Sequence, residues 1–223
     1  TKVVHSLHTH LHHPAAARAT ALAISKLIER SSYPPGSEQE QPRRPNREAL
    51  LEERAADAVC AAMSLHMDRV TVAYPLLRTL GLLAAAPLSA VEEERLTAAG
   101  APDIVVSALL AFPRHEGIAR SGCRVLRDLA FSGKHAAALR AADAWGTAYS
   151  VLSRHCRSAP VCASALAALS SVGKEEGRQV SQACEDILNA MRLHYKTSRE
   201  VALESTRALR MLASEDRDTR AKL

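Results

Sequence analysis

The feature that most constrains the fold is a short spacing pattern that recurs along the second half of the chain. A small residue is followed by Leu four positions later and by another Leu three positions after that. The clearest copies are Gly122 with Leu126 and Leu129, Cys162 with Leu166 and Leu169, and Ser205 with Leu209 and Leu212. Spacings of three and four place these side chains on one face of a helix. A helical pattern that returns about every 40 residues is typical of an α-solenoid.

The composition favours helix-on-helix packing. Aromatic residues make up only 3% of the chain, and small residues such as Ala allow helices to approach closely. No segment resembles a span of about 20 apolar residues, so we expect no membrane helix. The formal net charge of +5 permits acidic partners without requiring nucleic acid.

The cysteines predict a reducing compartment. Five cysteines without a C-x-x-C pair argue against a disulfide framework or a zinc ribbon. Cys123, Cys162 and Cys184 take positions where the repeat places small apolar residues. We therefore expect reduced core thiols in an intracellular protein, with the cytoplasm favoured.

The pattern divides the chain into three parts. Residues 1–30 match the second half of a repeat, and residues 48–223 carry the helical repeats. Between them, Ser31–Arg47 contains four prolines and no aliphatic residue, which predicts a Pro/Ser/Gln-rich loop or a disordered insertion. Both ends of the chain resemble incomplete units, so we expect the solenoid to continue beyond residue 223.

Several element boundaries are predicted within this scheme. One helix is expected over Arg47–Leu65 and another over Val70–Ala84, with Pro75 kinking the second helix or marking its start. Ser89 followed three residues later by Glu92 predicts a capping box at the start of a helix. Ser214 is expected to begin a further unit.

The segment GAPDIVVSALL, followed by a Leu-x-x-Leu helix, resembles the armadillo repeat. In that family a small residue opens the second helix of each unit, as Gly100 and Ala101 do here, while Asp143 and Ala144 match less closely. The resemblance implies an all-α, right-handed α-solenoid of about four to five full or partial units. HEAT repeats share the period, so the choice between the two subtypes stays open.

The resemblance also implies that the third helices line a concave groove. Armadillo nuclear-import receptors carry Trp two residues before the first Leu and Asn two residues after it. Here the Trp positions hold Leu22, Arg78, Arg124, Ser164 and Arg207, and the Asn positions hold Lys26, Leu82, Asp128, Ala168 and Met211. The chain therefore does not resemble a receptor for nuclear-localisation peptides.

Arginines occupy three of the Trp positions instead. Arg78, Arg124 and Arg207 each lie two residues before the first Leu of the spacing pattern. Arg127 and Arg210 each directly follow that Leu. Guanidinium groups bind carboxylates and phosphates through forked donors. We predict these five residues as a partner-binding set on the concave face, with an acidic or phosphorylated protein segment as the ligand. The alternative is that these arginines are solvated or pair with Asp128 and Glu204.

Catalytic and metal chemistry is not favoured by the sequence. His5, His8 and His12 would share one face of a helix, and His8 and His12 have the i, i+4 spacing of a metal pair, but no Glu follows as in H-E-x-x-H and no Cys lies nearby. His155 and Cys156 are adjacent without an identifiable orienting partner. We expect no cofactor, no metal and no enzymatic activity.

The sequence thus predicts a non-catalytic scaffold that holds a partner protein or acidic segment along the concave face. The alternative is a structural subunit of a large ciliary, cytoskeletal or ribonucleoprotein assembly, which would make its contacts through the basic face. Nucleic acid is compatible with the charge but not indicated by any motif, and membership of a larger complex is expected in both cases.

Overall fold

The computed structural model describes residues 2–31, 45–131, 133, 135–173 and 180–215. Within these ranges the regular structure consists of helices, and no strand is present. The helices are α1 (Lys2–Thr9), α2 (Pro14–Ser31), α3 (Pro45–Glu52), α4 (Ala55–Leu65), α5 (Val70–Leu83), α6 (Ala90–Ala98), α7 (Ala101–Ala111), α8 (Glu116–Ala130), α9 (Ala136–Ala141), α10 (Ala144–Arg154), α11 (Ala159–Val172), α12 (Val180–His194) and α13 (Arg199–Glu215). The expected all-α class is confirmed for the described chain.

The helices stack in rows. In the third-helix row, α2, α5, α8, α11 and α13 each pack against the next member. In the second-helix row, α1, α4, α7, α10 and α12 do the same. The short helices α3, α6 and α9 pack against α4, α7 and α10, respectively. This succession of similar units fits an α-solenoid.

Each three-helix unit opens its second helix with a left-handed residue. Arg54, Gly100 and Asp143 have φ angles of 62°, 72° and 53°. A residue without Cβ adopts this conformation at little cost, and Asp tolerates it better than most side chains. The residue that follows is in each case a fully buried alanine: Ala55, Ala101 or Ala144. The prediction of one helix over Arg47–Leu65 was wrong, because the chain turns at Arg54 and divides the segment into α3 and α4.

The small residue in the spacing pattern faces the second helix of its own unit. A Cβ added at Gly122 would lie 2.7 Å from Leu109 Cδ2, so a larger residue there would force α7 and α8 apart. Cys162 and Ser205, at the equivalent positions of α11 and α13, are fully buried. The spacing pattern therefore marks where third and second helices meet.

The start of α3 corrects the predicted loop. Because α3 begins at Pro45, the last residues of the segment expected to be a loop, Pro45–Arg47, are helical. Arg47 is buried and forms an ion pair with Glu92 of α6 at 3.1 Å. Its guanidinium also donates to the backbone oxygens of Ala85 and Pro87 at 2.6 and 3.1 Å. Residues 32–44 of the predicted loop lie outside the described residues.

The capping box is confirmed. The Ser89 backbone N–H donates to Glu92 Oε2 at 2.7 Å, and the Glu92 N–H donates to Ser89 Oγ at 3.3 Å. Pro75 lies inside α5 and does not mark its start. The prediction that Ser214 begins a new unit was wrong, since α13 continues through it to Glu215. Residues 216–223 are outside the described part of the chain.

Candidate functional site

The predicted arginines lie on three members of the third-helix row. Arg78 is on α5, Arg124 and Arg127 are on α8, and Arg207 and Arg210 are on α13. Arg127 is half-buried and the other four are exposed.

Two of the five arginines have the acidic neighbours that the alternative interpretation named. Arg127 Nη2 lies 2.7 Å from Asp128 Oδ1, and Arg207 Nη1 lies 2.6 Å from Glu204 Oε1. These two cations are partly neutralised within their own helices.

The arginines do not form one continuous stripe, because α11 interrupts it. The α11 residues that align with Arg124 and Asp128 of α8 are Ser164 and Ala168, and both are buried. This helix packs against both α8 and α13, and its small side chains let these neighbours approach. No guanidinium on α11 therefore lies between Arg124 of α8 and Arg207 of α13 along the third-helix row.

Arg78 and Arg124 are brought together in a groove between α5 and α8. Two adjoining depressions, of about 250 and 420 Å³, share Arg78, Ser121 and Arg124. We call this the α5–α8 groove. Its lining is contributed by α5 and the residue Ala85 that follows it (Tyr74, Leu77, Arg78, Gly81, Leu82, Ala85), by α8 (Glu116, Gly117, Arg120, Ser121, Arg124, Val125, Asp128) and by the start of α11 (Pro160, Val161).

Glycines on both helices set the spacing of the groove walls. A Cβ added at Gly81 of α5 would lie 3.2 Å from Val125 Cγ2 of α8. A Cβ added at Gly117 of α8 would lie 3.1 Å from the Tyr74 ring of α5. Each of the two helices thus has a glycine where the other helix projects a side chain. This arrangement lets α5 and α8 approach each other closely.

Arg120 is a groove residue that the sequence reasoning missed. It is exposed, lies one turn before Arg124 on α8 and lines the larger depression. The prediction compared only positions at fixed distances from the first Leu, so a residue outside those positions went unnoticed. The available signal was the i, i+4 spacing of two arginines on the polar face of α8.

The carboxylates of the groove are already engaged. Asp128 accepts hydrogen bonds from Arg127 Nη2 and Nε at 2.7 and 2.9 Å, and Glu116 accepts one from Ser158 Oγ at 3.1 Å. Arg78 lies 3.8 Å from Glu29 of α2, an exposed and weak contact. Among the described residues, Arg120 and Arg124 have no ion-pair partner, and the three arginines of the lining outnumber its two carboxylates, so the groove keeps a net positive charge.

The N-terminal histidines do not share a helical face. Helix α1 ends at Thr9, so His12 lies beyond the helix that carries His5 and His8. All three are exposed. In the described ranges no group of three or more His, Cys, Asp and Glu residues has a geometry that could hold a metal ion.

His155 belongs to a recurring structural set that we call the turn histidines: His66, His155 and His194. Each is buried where a second helix ends. The Nε2 atoms lie 2.8, 2.9 and 2.7 Å from the backbone oxygens of Leu11, Pro113 and Cys156, respectively. Since a carbonyl only accepts, Nε2 must carry the proton in each ring. Each acceptor lies in the turn before a third helix, so the bonds join neighbouring units.

The cysteines differ in environment. All five lie in the described residues and none is in a disulfide. Burial raises the pKa of Cys60 and Cys123 to about 12 and that of Cys162 to about 11. Cys156 is exposed, while the neighbouring His155 is buried and its Nε2 is engaged by the Pro113 backbone oxygen.

One further histidine is buried near the start of α9. Burial lowers the pKa of His135, and the charge of Glu93 opposes this effect in part. Its Nδ1 is hydrogen-bonded with Thr97 Oγ1 of α6. This bond joins α6 to the start of α9 and so links two neighbouring units.

No helix in the described ranges combines the length and apolarity needed to cross a bilayer. Comparison of the chain with models of known families, with curated proteins and with solved structures gave no match.

Proposed function

We propose that this chain is an armadillo-type solenoid that holds an acidic segment of a partner protein in the α5–α8 groove. The role is binding without catalysis. The proposal places the protein in the cytoplasm, which the five cysteines without a disulfide support.

Three features support the armadillo type. The units α3–α5, α6–α8 and α9–α11 have three helices each. Each unit has a left-handed residue and a buried alanine at the start of its second helix. The small residue of each spacing pattern is buried in the third helix. A right-handed superhelix is part of the same proposal.

The observation that carries the binding role is the charge of the groove. Three guanidinium groups line it, from Arg78, Arg120 and Arg124, while both of its carboxylates are engaged by other side chains. Exposed arginines with unused donors bind carboxylates through paired hydrogen bonds. An acidic segment laid along the groove would meet all three.

The test is a pull-down from native lysate with a charge-reversed groove. Arg120→Glu with Arg124→Glu should reduce recovery of specific partners at least tenfold, because two unpaired cations become anions. The matched control, Arg140→Glu with Arg192→Glu, makes the same change in net charge at exposed positions on α9 and α12. Circular dichroism checks that both variants remain helical. Equal partner recovery by the groove variant and the control would contradict the proposal.

A second candidate is a structural subunit of a larger assembly. The observation that favours it is the exposed surface where α12 and α13 meet: Leu193 and Tyr195 are each 58% exposed and Leu203 is 49% exposed. Arg207 and Arg210 lie on the same exposed side of α13 as Leu203. Partners that survive charge reversal in the groove but are lost on Leu203→Asp would favour this role.

A further inference from the structure

The α5–α8 groove contains more hydrogen-bond donors than a carboxylate can use. Besides the guanidinium groups of Arg78, Arg120 and Arg124, the hydroxyl-bearing side chains of Tyr74 and Ser121 line its larger depression. Neither hydroxyl has a hydrogen-bond partner among the described residues. The Cζ atom of Tyr74, which carries the hydroxyl, lies against Gly117, one turn before Ser121 on α8. The donors of α5 and α8 therefore converge on one depression.

The number and charge of these donors discriminate between ligands. A carboxylate carries one charge and two oxygens, which a single bidentate arginine satisfies. A phosphorylated side chain carries a charge of about −1.5 to −2 and three strong acceptor oxygens. Three guanidinium groups and two hydroxyls match the second ligand better, because the first would leave most of them without an acceptor.

From this geometry we infer that the α5–α8 groove recognises a phosphorylated serine or threonine side chain in the partner segment. The inference rests on the proposed function and specifies its ligand. Arg78 and Arg124 clamp the phosphoryl group from opposite walls, Arg120 adds a third cation, and Tyr74 and Ser121 donate hydroxyl hydrogen bonds.

The rest of the groove indicates what stands beside the phosphorylated residue. The smaller depression shares Arg78 and Arg124 and includes the half-buried Leu82, with the fully buried Leu77 and Val125 beneath it. An apolar side chain next to the phosphorylated residue would bury its surface there. We therefore expect an aliphatic residue within one or two positions of the phosphorylated one.

A protein segment fits the groove better than a nucleic acid does. Single-stranded nucleic acids are bound by several stacking aromatic side chains along a continuous basic track. Here Tyr74 is the one aromatic residue of the lining, and the basic track stops at α11, where Ser164 and Ala168 are buried. Each phosphodiester also carries a single charge, which three converging arginines exceed.

The test uses three immobilised peptide libraries with a fixed central residue, which is phosphoserine, Glu or unmodified Ser, flanked by randomised positions. Fluorescence polarisation then measures the affinity of the wild-type protein and three variants for the selected peptides. The variants are Arg78→Gln with Arg124→Gln, Tyr74→Phe, and the matched control Arg140→Gln with Arg192→Gln. We expect at least tenfold tighter binding to phosphoserine than to Glu peptides, lost in the groove double variant and unchanged in the control. Tyr74→Phe should reduce that preference at least threefold.

The outcomes separate this inference from the proposed function. Equal affinity for Glu and phosphoserine peptides, dependent on Arg78 and Arg124, would overturn the phosphate specificity and leave the acidic-segment function standing. Binding to no library, or binding that the groove variants do not alter, would overturn both. Preferential capture of single-stranded RNA at the groove arginines over all three peptide libraries would also overturn the inference.

Discussion

At the scale of single residues, some local features can be predicted from the sequence, while others depend on backbone conformation and burial that the sequence does not show. The capping box of Ser89 and Glu92 was predictable because it depends on two residues three positions apart. The left-handed position at Arg54 was not, because Arg gives no signal for positive φ as Gly100 does. Arg47 was also missed, since a proline-rich composition does not show that one arginine will meet a buried glutamate from α6.

Arg47 yields a prediction for stability. Replacing it in Arg47→Met removes the partner of buried Glu92 and the donor to two backbone oxygens. Leaving one member of a buried ion pair without its partner costs about 3–5 kcal/mol. Urea unfolding followed by circular dichroism should therefore show a much lower midpoint.

The control for Arg47 is Arg54→Met, which breaks an exposed pair with Asp57. Exposed pairs contribute about 0–1 kcal/mol, so its midpoint should stay near that of the wild type. A similar midpoint for Arg47→Met and the wild type would show that the buried pair does not hold α3 to α6.

At the scale of elements, the turn histidines explain how neighbouring units are held in register. Three of the repeats have a ring-bearing residue four positions before the third helix begins: His66, Phe112 and His155. In the last repeat, His194 lies five positions before α13. Where this residue is His, it donates to a turn of the preceding unit. Phe112 cannot donate, so the junction of α5 with α8 lacks this bond, and it is also the junction where the groove lies.

The element pattern was only partly predictable from sequence. Helical faces follow from the spacing of Leu, and so the second and third helices were found. The histidine bonds were not found, because a buried imidazole and an exposed one look alike until the neighbouring turn is placed beside them. The sequence alone therefore gives no indication that His155 has a structural role.

His155 tests this account. His155→Phe keeps a ring of similar size, as Phe112 does in the preceding unit, but leaves the Pro113 carbonyl without its donor. Pro113 is exposed, so the loss is that of a typical hydrogen bond, about 0.5–1.5 kcal/mol, and thermal unfolding should occur a few degrees lower. The matched control is His10→Phe, at the corresponding exposed position before α2, which should unfold as the wild type does. Indistinguishable melting curves for both variants would contradict a role in joining units.

At the scale of the whole molecule, units contact mainly their neighbours, so surface properties are local. Alignment of the repeats placed Arg78, Arg124 and Arg207 at equivalent positions, which lie exposed on the third helices α5, α8 and α13. It could not show that α11, with its small side chains, would be packed between α8 and α13 with Ser164 and Ala168 buried. The distance between two helices depends on the side chains at each contact, such as Gly81 against Val125. The repeat pattern alone does not predict that distance.

The central claim is that a partner segment occupies the α5–α8 groove, and the most direct measurement is site-specific photo-crosslinking. Leu82, which lines the groove, is replaced by p-benzoylphenylalanine in one protein, and Leu110, which is exposed on α7 outside it, is replaced in another. Both proteins are irradiated in native lysate, and crosslinked species are separated and identified. The account predicts a specific partner crosslinked from position 82 and absent from position 110, with the signal lost when Arg120→Glu and Arg124→Glu are added. Crosslinks of equal intensity from both positions, or a partner captured only from position 110, would contradict it.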